Sequence, residues 1–116
     1  MDMTSTASRI APRGWRVRLG QGRPDEGIER FLEDLRQQAL LAEEQAFTLY
    51  ERGCRELLTA AADPDLDADW QHACRDYTWR PLEELQRLCC GQCNKPGCRD
   101  RLMRLFRRLE RLQQTA

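Results

Sequence analysis

The sequence has one histidine, one lysine and no long apolar run, and these shortages exclude several classes of protein. A single histidine, His72, cannot supply the pair of imidazoles found in many hydrolytic zinc centres. No stretch of about 18 apolar residues is present, which argues against a transmembrane helix. The first ten residues contain no apolar core of a secretory signal. We therefore expect a cytoplasmic protein without membrane association, in which structural disulfide bonds are rare.

The chain has no net charge, but its charges are unevenly distributed along the sequence. Residues 1–24 carry a net charge of +4, residues 25–78 carry −9, and residues 99–116 carry +4. The simplest interpretation is that the basic ends pack against the acidic middle. The alternative is that one basic end contacts the phosphates of a nucleic acid.

Residues 1–24 are rich in small and polar side chains and are predicted to form a flexible basic arm. Within this arm, residues 15–19 alternate apolar and arginine side chains, which is typical of a short strand. One strand without a partner cannot form a sheet by itself. Trp15 is therefore expected to pack on the helices, or on the sheet edge of another protein.

Helical periodicity dominates the remainder, which we interpret as a single domain spanning residues 25–116. An apolar stripe with alternating spacings of four and three consists of Ile28, Leu32, Leu35, Ala39, Ala42, Ala46 and Leu49. It predicts one long helix that continues to about Ala61, with Gly53 as a tolerated weak point. The turn-forming residues 63–67 end this helix.

Two shorter helices and a C-terminal helix are predicted to follow. The first short helix extends to about Tyr77, and Pro81 suits the first turn of the second. The aromatic residues of this region are expected to lie in the core; they are Trp70, Tyr77 and Trp79. The C-terminal helix begins near Cys98 and is amphipathic. The predicted fold is therefore all-α: a small helical bundle with a cysteine-rich metal-binding loop and an extended N-terminal arm.

The C-terminal helix carries two sets of candidate binding residues. Its apolar stripe must be buried, either on the chain's own helices or on a partner; the candidate partner-binding residues are Leu102, Leu105, Leu109 and Leu112, together with Trp15. The arginines on its other faces could contact phosphate groups; the candidates are Arg101, Arg104 and Arg108.

Four of the six cysteines lie within residues 89–98, and their spacing predicts a metal site. Cys90 and Cys93 are separated by two residues, the gap that allows two thiolates to bind one ion. Pro96 and Gly97 predict a tight turn that brings Cys98 back toward Cys93. A tetrahedral site needs a fourth ligand, for which Cys74 is the candidate and Cys89 the alternative.

The cysteine spacing does not distinguish zinc from a [4Fe–4S] cluster, which also uses four thiolates. Zinc is the commoner structural metal and is our first prediction, with the cluster as the alternative. A disulfide framework and a thiol-based redox function are weaker interpretations, since the CxxC pair follows a predicted helix and no sheet. Cys54 lies on the long apolar stripe and is expected to be a buried core residue.

These observations predict a non-enzymatic protein: a metal-stabilised helical module that binds another protein. The partner could be a second copy of the same chain. An iron–sulfur accessory protein is one alternative. A nucleic-acid-binding regulator that uses the arginines of the last helix is another.

Overall fold

The computed structural model describes residues 23–91 and 97–115, which form α-helices joined by short turns. The helices are α1 (Pro24–Leu41), α2 (Ala46–Ala61), α3 (Ala68–Tyr77), α4 (Trp79–Gly91) and α5 (Gly97–Thr115). No strand occurs in these two ranges, which agrees with the all-α prediction. The candidate strand at residues 15–19, Trp15 and Cys93 lie outside the described residues.

The prediction of one long helix through residues 25–61 is wrong. Helix α1 ends at Leu41, and a 3-10 turn at Glu43–Gln45 separates it from α2. The sequence at this break consists of good helix formers, so local propensity does not explain it. The packing explains it, because doubling the chain back buries the apolar faces of α1 and α2 together instead of exposing both.

Gly53 has a packing function and does not weaken a continuous helix. It is buried in α2, where it faces the side chain of Leu35 from α1. A Cβ at position 53 would fall well inside van der Waals contact with Cδ2 of Leu35. The missing side chain therefore allows α1 and α2 to approach closely.

The core consists of two neighbouring clusters. The first joins α1, α2, α4 and α5; its buried members are Leu35, Ala39, Ala46, Tyr50, Cys54, Leu58, Leu82, Leu85, Leu88, Leu102, Leu105 and Leu109. The second joins the start of α1, the end of α2 and α3; its buried members are Ile28, Phe31, Leu57, Ala60, Trp70 and Cys74. The predicted apolar stripe included Leu32, which is only half-buried, whereas the neighbouring Phe31 is buried.

The predicted turn at residues 63–67 and the helix restart near Pro81 are both present. The Asp63 carboxylate accepts a hydrogen bond from the backbone N–H of Asp65 at 2.9 Å, a local bond that competes with helix continuation. Only Thr78 separates α3 from α4. Pro81 has no N–H to donate to the carbonyl four residues earlier, so the helical hydrogen bonding is interrupted here. The buried Thr78 hydroxyl donates to the carbonyl of Cys74 at 2.7 Å.

None of the described helices combines the length and the apolar character needed to cross a lipid bilayer.

Candidate functional site

The cysteine segment lies where α4 ends and α5 begins. Cys89 is half-buried and Cys90 is exposed at the end of α4, whereas Cys98 is 3% exposed at the start of α5. Two of the predicted ligands, Cys90 and Cys98, therefore flank the same connection, and Cys93 lies outside the described residues. Cys98 is disulfide-bonded, contrary to the expectation of reduced thiols. Metal binding at this position requires the reduced thiolate.

Cys74, the predicted fourth ligand, is placed in the second core cluster. It is fully buried there, in the same cluster as Ile28, Phe31 and Trp70. Among the described residues, no three His, Cys, Asp or Glu side chains form a group that could hold a metal ion. Cys74 therefore does not form a three-residue metal-binding group with other described cysteines. Cys89, the alternative fourth ligand, lies beside Cys90 within the cysteine segment.

Cys54 is a buried core residue, as the sequence predicted. It is fully buried in the first cluster, and burial raises the pKa of its thiol far above its ordinary value, with a smaller contribution from Glu51. Its neutral thiol therefore acts as a small apolar group.

The apolar stripe of α5 packs against the chain's own helices. Leu102, Leu105 and Leu109 are buried in the first cluster, and Leu112 is half-buried against it. Three of the four candidate partner-binding leucines are therefore core residues of this fold, and Leu112 lies at the edge of the core.

One candidate phosphate ligand, Arg101, forms an ion pair with a carboxylate of α2. Its guanidinium donates two hydrogen bonds to the nearly buried Glu51, one of them from Nε at 3.1 Å, and it lies over the Phe47 ring at 4.8 Å. Arg55 also contacts Glu51, at 3.3 Å. The hydrogen bonds from Arg101 outweigh burial and hold the pKa of Glu51 below its ordinary value. The pair fixes α5 to α2.

The other two candidate phosphate ligands differ from each other. Arg108 is half-buried, and its guanidinium donates a hydrogen bond to the hydroxyl of Thr59 at 2.9 Å, which is a second tie between α5 and α2. Arg104 is exposed on the same side of α5. Of the three, Arg104 is the one whose charge is fully presented to solvent.

An exposed apolar patch on the α4–α5 hairpin was not predicted from the sequence. It consists of Trp79, Met103 and Phe106, which we call the aromatic patch. Trp79 is 44% exposed and Met103 43% exposed, and the Trp79 and Phe106 rings lie 5.6 Å apart in a tilted contact. Trp70 is buried and Tyr77 half-buried, but the expectation that Trp79 lies in the core is wrong.

A groove of about 610 Å³ lies between α1 and α4. Leu32, Tyr50 and Pro81 are the apolar and aromatic residues that line it. The other lining residues are charged and come from both helices; they are Glu29, Arg30, Glu33, Arg36, Arg80, Glu83 and Glu84. Burial, and then the nearby Glu84, raise the pKa of the Tyr50 phenol, so this side chain stays neutral. We call this feature the α1–α4 groove.

Two residues that line the α1–α4 groove, Glu29 and Arg80, belong to a small polar network. The Tyr77 hydroxyl donates to Oε2 of Glu29 at 3.0 Å, and Arg80 contacts the same oxygen at 3.7 Å. The Arg80 guanidinium also lies 4.8 Å from the centre of the Tyr77 ring. These contacts join α1 to the junction of α3 and α4. The groove is therefore a structured part of the bundle surface.

Comparison of the chain with protein-family models, with curated proteins and with solved structures finds no match.

Proposed function

We propose that this chain is a non-enzymatic helical module that binds another protein through the aromatic patch. The observation that carries the proposal is the half-exposed Trp79, held against Phe106 at the surface of the hairpin. Trp and Met are enriched in the centres of protein interfaces, and Trp is among the residues whose loss costs most binding energy. Apolar side chains that are exposed together, rather than singly, mark interaction sites.

The environment of the aromatic patch supports a partner with an apolar helix face. Met103 and Phe106 are three residues apart on α5 and so lie on neighbouring turns of one side. Trp79 extends this surface from α5 to α4, because its ring contacts that of Phe106. Arg99 and Arg107 are exposed at its border, so acidic residues flanking the apolar face of the partner would be favourable.

The binding test uses a library of helical peptides selected against the wild-type chain, followed by affinity measurement on single variants. Trp79→Ser should weaken the selected peptides by about thirtyfold or more, as expected for an interface residue worth about 2 kcal/mol. The matched control is Leu41→Ser, which removes a leucine that is 88% exposed at the far end of α1. Peptides that bind both variants like the wild type would refute the proposal.

A second copy of the chain is one partner that the same variants test. Sedimentation of the wild type over a range of concentrations would show a dimer, and Trp79→Ser would return it to monomer if the aromatic patch forms the contact. A dimer that Trp79→Ser leaves intact would place self-association elsewhere on the chain.

We further propose that the cysteine segment, once reduced, holds a metal ion that secures the hairpin carrying the aromatic patch. Cys90, Cys93 and Cys98 would supply three thiolates, with Cys89 as the fourth ligand because Cys74 belongs to the core. Zinc is the first choice and a [4Fe–4S] cluster the alternative. The position of Cys90 and Cys98 at the two ends of one connection supports the proposal.

Elemental analysis of the reduced protein after anaerobic purification tests the metal. We expect about one zinc per chain, or iron with broad absorption near ~400 nm if a cluster is bound. Cys90→Ser and Cys89→Ser should each lower the metal content, whereas Cys74→Ala, the control, should leave it unchanged. Full metal content in a triple serine variant at positions 90, 93 and 98 would refute the site.

A second candidate function, nucleic-acid binding, is favoured only by the exposed arginines of α5. Arg104, Arg107 and Arg111 present their charges to solvent, while Arg101 and Arg108 are tied to α2. Binding of a duplex that weakens steeply with salt and is lost in Arg104→Ala would support it. The cytoplasmic location remains a prediction.

A further inference from the structure

We infer that residues 42–45 are a hinge, and that two copies of the chain exchange α1 through it to form a dimer. In the exchanged dimer, α1 and α2 of each chain form one continuous helix, and α1 packs into the second copy. The hinge lies away from the aromatic patch, so the exchange does not depend on the proposed function.

The hinge and its neighbours consist of residues that favour helix. From Leu40 to Ala46 the sequence contains only leucine, alanine, glutamate and glutamine, which are among the best helix formers. Glycine, proline, asparagine, aspartate and serine, from which turns are normally built, do not occur in this stretch. The apolar stripe also crosses the hinge without a change of register, with spacings of three and four between Ala39, Ala42 and Ala46. The local sequence therefore favours a helix that passes straight through the hinge.

Few contacts hold the hinge in its folded-back form. Ala42, where α1 ends, has φ −136° and ψ 73°, outside the helical region. A backbone hydrogen bond from the N–H of Gln45 to the carbonyl of Ala42, at 2.9 Å, closes the turn. Within residues 23–91 and 97–115, the exposed side chains of Glu43, Glu44 and Gln45 make no hydrogen bond or ion pair. The hairpin is therefore held closed by contacts along α1 and not by the hinge.

The buried face of α1 explains why opening requires a second copy. Its residues belong to both core clusters; they are Ile28, Phe31, Leu35 and Ala39. A single chain with α1 swung away would expose this face to water, together with the surface that α1 covers, and the hydrophobic effect opposes this. Two opened chains can each supply α1 to the other, which restores the same contacts between chains. The exchange therefore keeps the buried contacts and adds helix at both hinges.

Specific contacts of α1 would become contacts between the two chains. Gly53 would face Leu35 of the second copy, and the Tyr77 hydroxyl would donate to Glu29 of the second copy. Because α1 and α4 both line the α1–α4 groove, each groove would be built from two chains. The dimer would thus contain two bundles, each with the architecture of the single chain.

Two exposed leucines beside the hinge also favour the exchange. Leu40 is 59% exposed and Leu41 is 88% exposed at the end of α1. In an exchanged dimer both chains cross between the two bundles at their hinges, so residues beside the hinges lie where one chain passes the other. Adjacent exposed apolar side chains mark interaction sites, and this crossing would cover them.

Refolding of the full chain at two concentrations tests whether the dimer forms. The chain is unfolded in urea, which releases α1, and is then refolded at low micromolar and at millimolar concentration. Sedimentation in the presence of reductant excludes dimers that are linked through disulfide bonds. We expect monomer after refolding at the low concentration and a dimer after refolding at the high concentration, because exchange is bimolecular. A chain that refolds only to monomer at millimolar concentration would overturn the inference.

A filtered NMR experiment distinguishes exchange from contact between intact surfaces. Dimers are refolded from equal amounts of ¹³C-labelled and unlabelled chain. Magnetisation should pass from the methyl groups of Leu35 in the labelled chain to the Hα atoms of Gly53 in the unlabelled chain. In a dimer formed through the aromatic patch this contact stays within one chain, and the filtered spectrum lacks it. A dimer without the filtered signal would show that α1 is not exchanged.

Glu43→Pro is the variant that closes the hinge. The hairpin should accept it, because Ala42 already lies outside the helical region that a following proline disfavours, and position 43 begins the 3-10 turn. Thermal unfolding checks that the variant remains folded. In a continuous helix the same proline removes a hydrogen bond and clashes with the preceding turn. The dimerisation constant should therefore fall by about a hundredfold or more, since each of the two helices carries the proline.

Ala68→Pro is the matched control. It places a proline at the exposed first position of α3, where the preceding Asp67 has φ −53° and ψ 141°. It should leave the dimerisation constant unchanged. Trp79→Ser should also leave the exchanged dimer intact, which separates it from self-association through the aromatic patch. A dimer that Glu43→Pro does not weaken, or that Ala68→Pro weakens equally, would refute the exchange.

Discussion

Replacement of Gly53 by alanine tests whether α1 and α2 form a hairpin or one continuous helix. In a continuous helix with Gly53 exposed or loosely packed, alanine should stabilise the protein by up to about 1 kcal/mol, since it is the better helix former. In the hairpin, a Cβ at position 53 overlaps Cδ2 of Leu35, with Cδ1 and Cγ of the same residue at 3.6 Å. The two arrangements therefore predict opposite signs for the same substitution.

The net effect follows from two opposing contributions. Leu35 is buried in the first core cluster, so its side chain would have to shift among packed neighbours to make room. Overpacking of this kind costs about 1–3 kcal/mol, against a gain of about 1 kcal/mol in helix propensity. We expect Gly53→Ala to lower the free energy of unfolding by about 0.5–2 kcal/mol.

A double-mutant cycle isolates the contact. Leu35→Ala alone should cost about 2–5 kcal/mol, because it leaves a cavity against α2. In that background the Cβ added at position 53 enters the vacated space, and Gly53→Ala should raise the free energy of unfolding by up to about 1 kcal/mol. Gly97→Ala is the control, since a Cβ there meets nothing within 4 Å.

Urea unfolding followed by circular dichroism measures all of these free energies. A change of sign between the two backgrounds establishes the contact between Gly53 and Leu35. If Gly53→Ala stabilises the wild-type chain as much as it stabilises the Leu35→Ala variant, α1 and α2 do not pack at this position and the hairpin is wrong.

Three further predictions concern α5 and the cysteine segment. Arg101 holds the pKa of Glu51 below its ordinary value of 4.5. The stability from this pair should therefore be complete above pH 4.5 and be lost as the pH falls through the folded-state pKa. Urea unfolding as a function of pH should show this loss, and Glu51→Gln should abolish the pH dependence. Leu105→Asp should unfold the chain at 25 °C, since it places a charge in the core. Arg104→Ala should change the free energy of unfolding by less than about 0.5 kcal/mol. Thermal melting compares the two variants, and equal effects would contradict the burial of the leucine stripe of α5. Chelation of the metal-loaded protein should increase hydrogen exchange in α4 and α5 more than in α1, and equal deprotection would show that the metal does not act on the hairpin.

The helices with strong local signals could be predicted from the sequence. The spacing of Leu102, Leu105 and Leu109 predicted an amphipathic C-terminal helix, and all three are buried on one side of α5. Pro81 predicted the restart after Tyr77, because a proline lacks the donor that a continuous helix needs. In each case the information lies within one or two helical turns.

The break at Ala42 could not be predicted in the same way. Leucine, alanine, glutamate and glutamine surround it, and all of them favour helix. The energy that ends α1 comes from contacts such as that between Leu35 and Gly53, which are 18 residues apart and become visible only when the chain has folded back. Gly53 was the one local signal, since a glycine inside a helical pattern often marks a close approach of another element.

The aromatic patch and the α1–α4 groove both depend on this fold-back and on the short junction at Thr78. The fold-back places Tyr50 of α2 among the residues that line the groove. The junction places Trp79 at the start of α4, where its ring contacts Phe106 of α5. Glu33 lines the groove and Phe106 does not. Substitutions at distant sites without shared contacts are additive. Phe106→Ser should therefore weaken peptide binding at the aromatic patch, whereas Glu33→Arg should leave it unchanged. Loss of peptide binding in Glu33→Arg would mean that the two surfaces are coupled through α4.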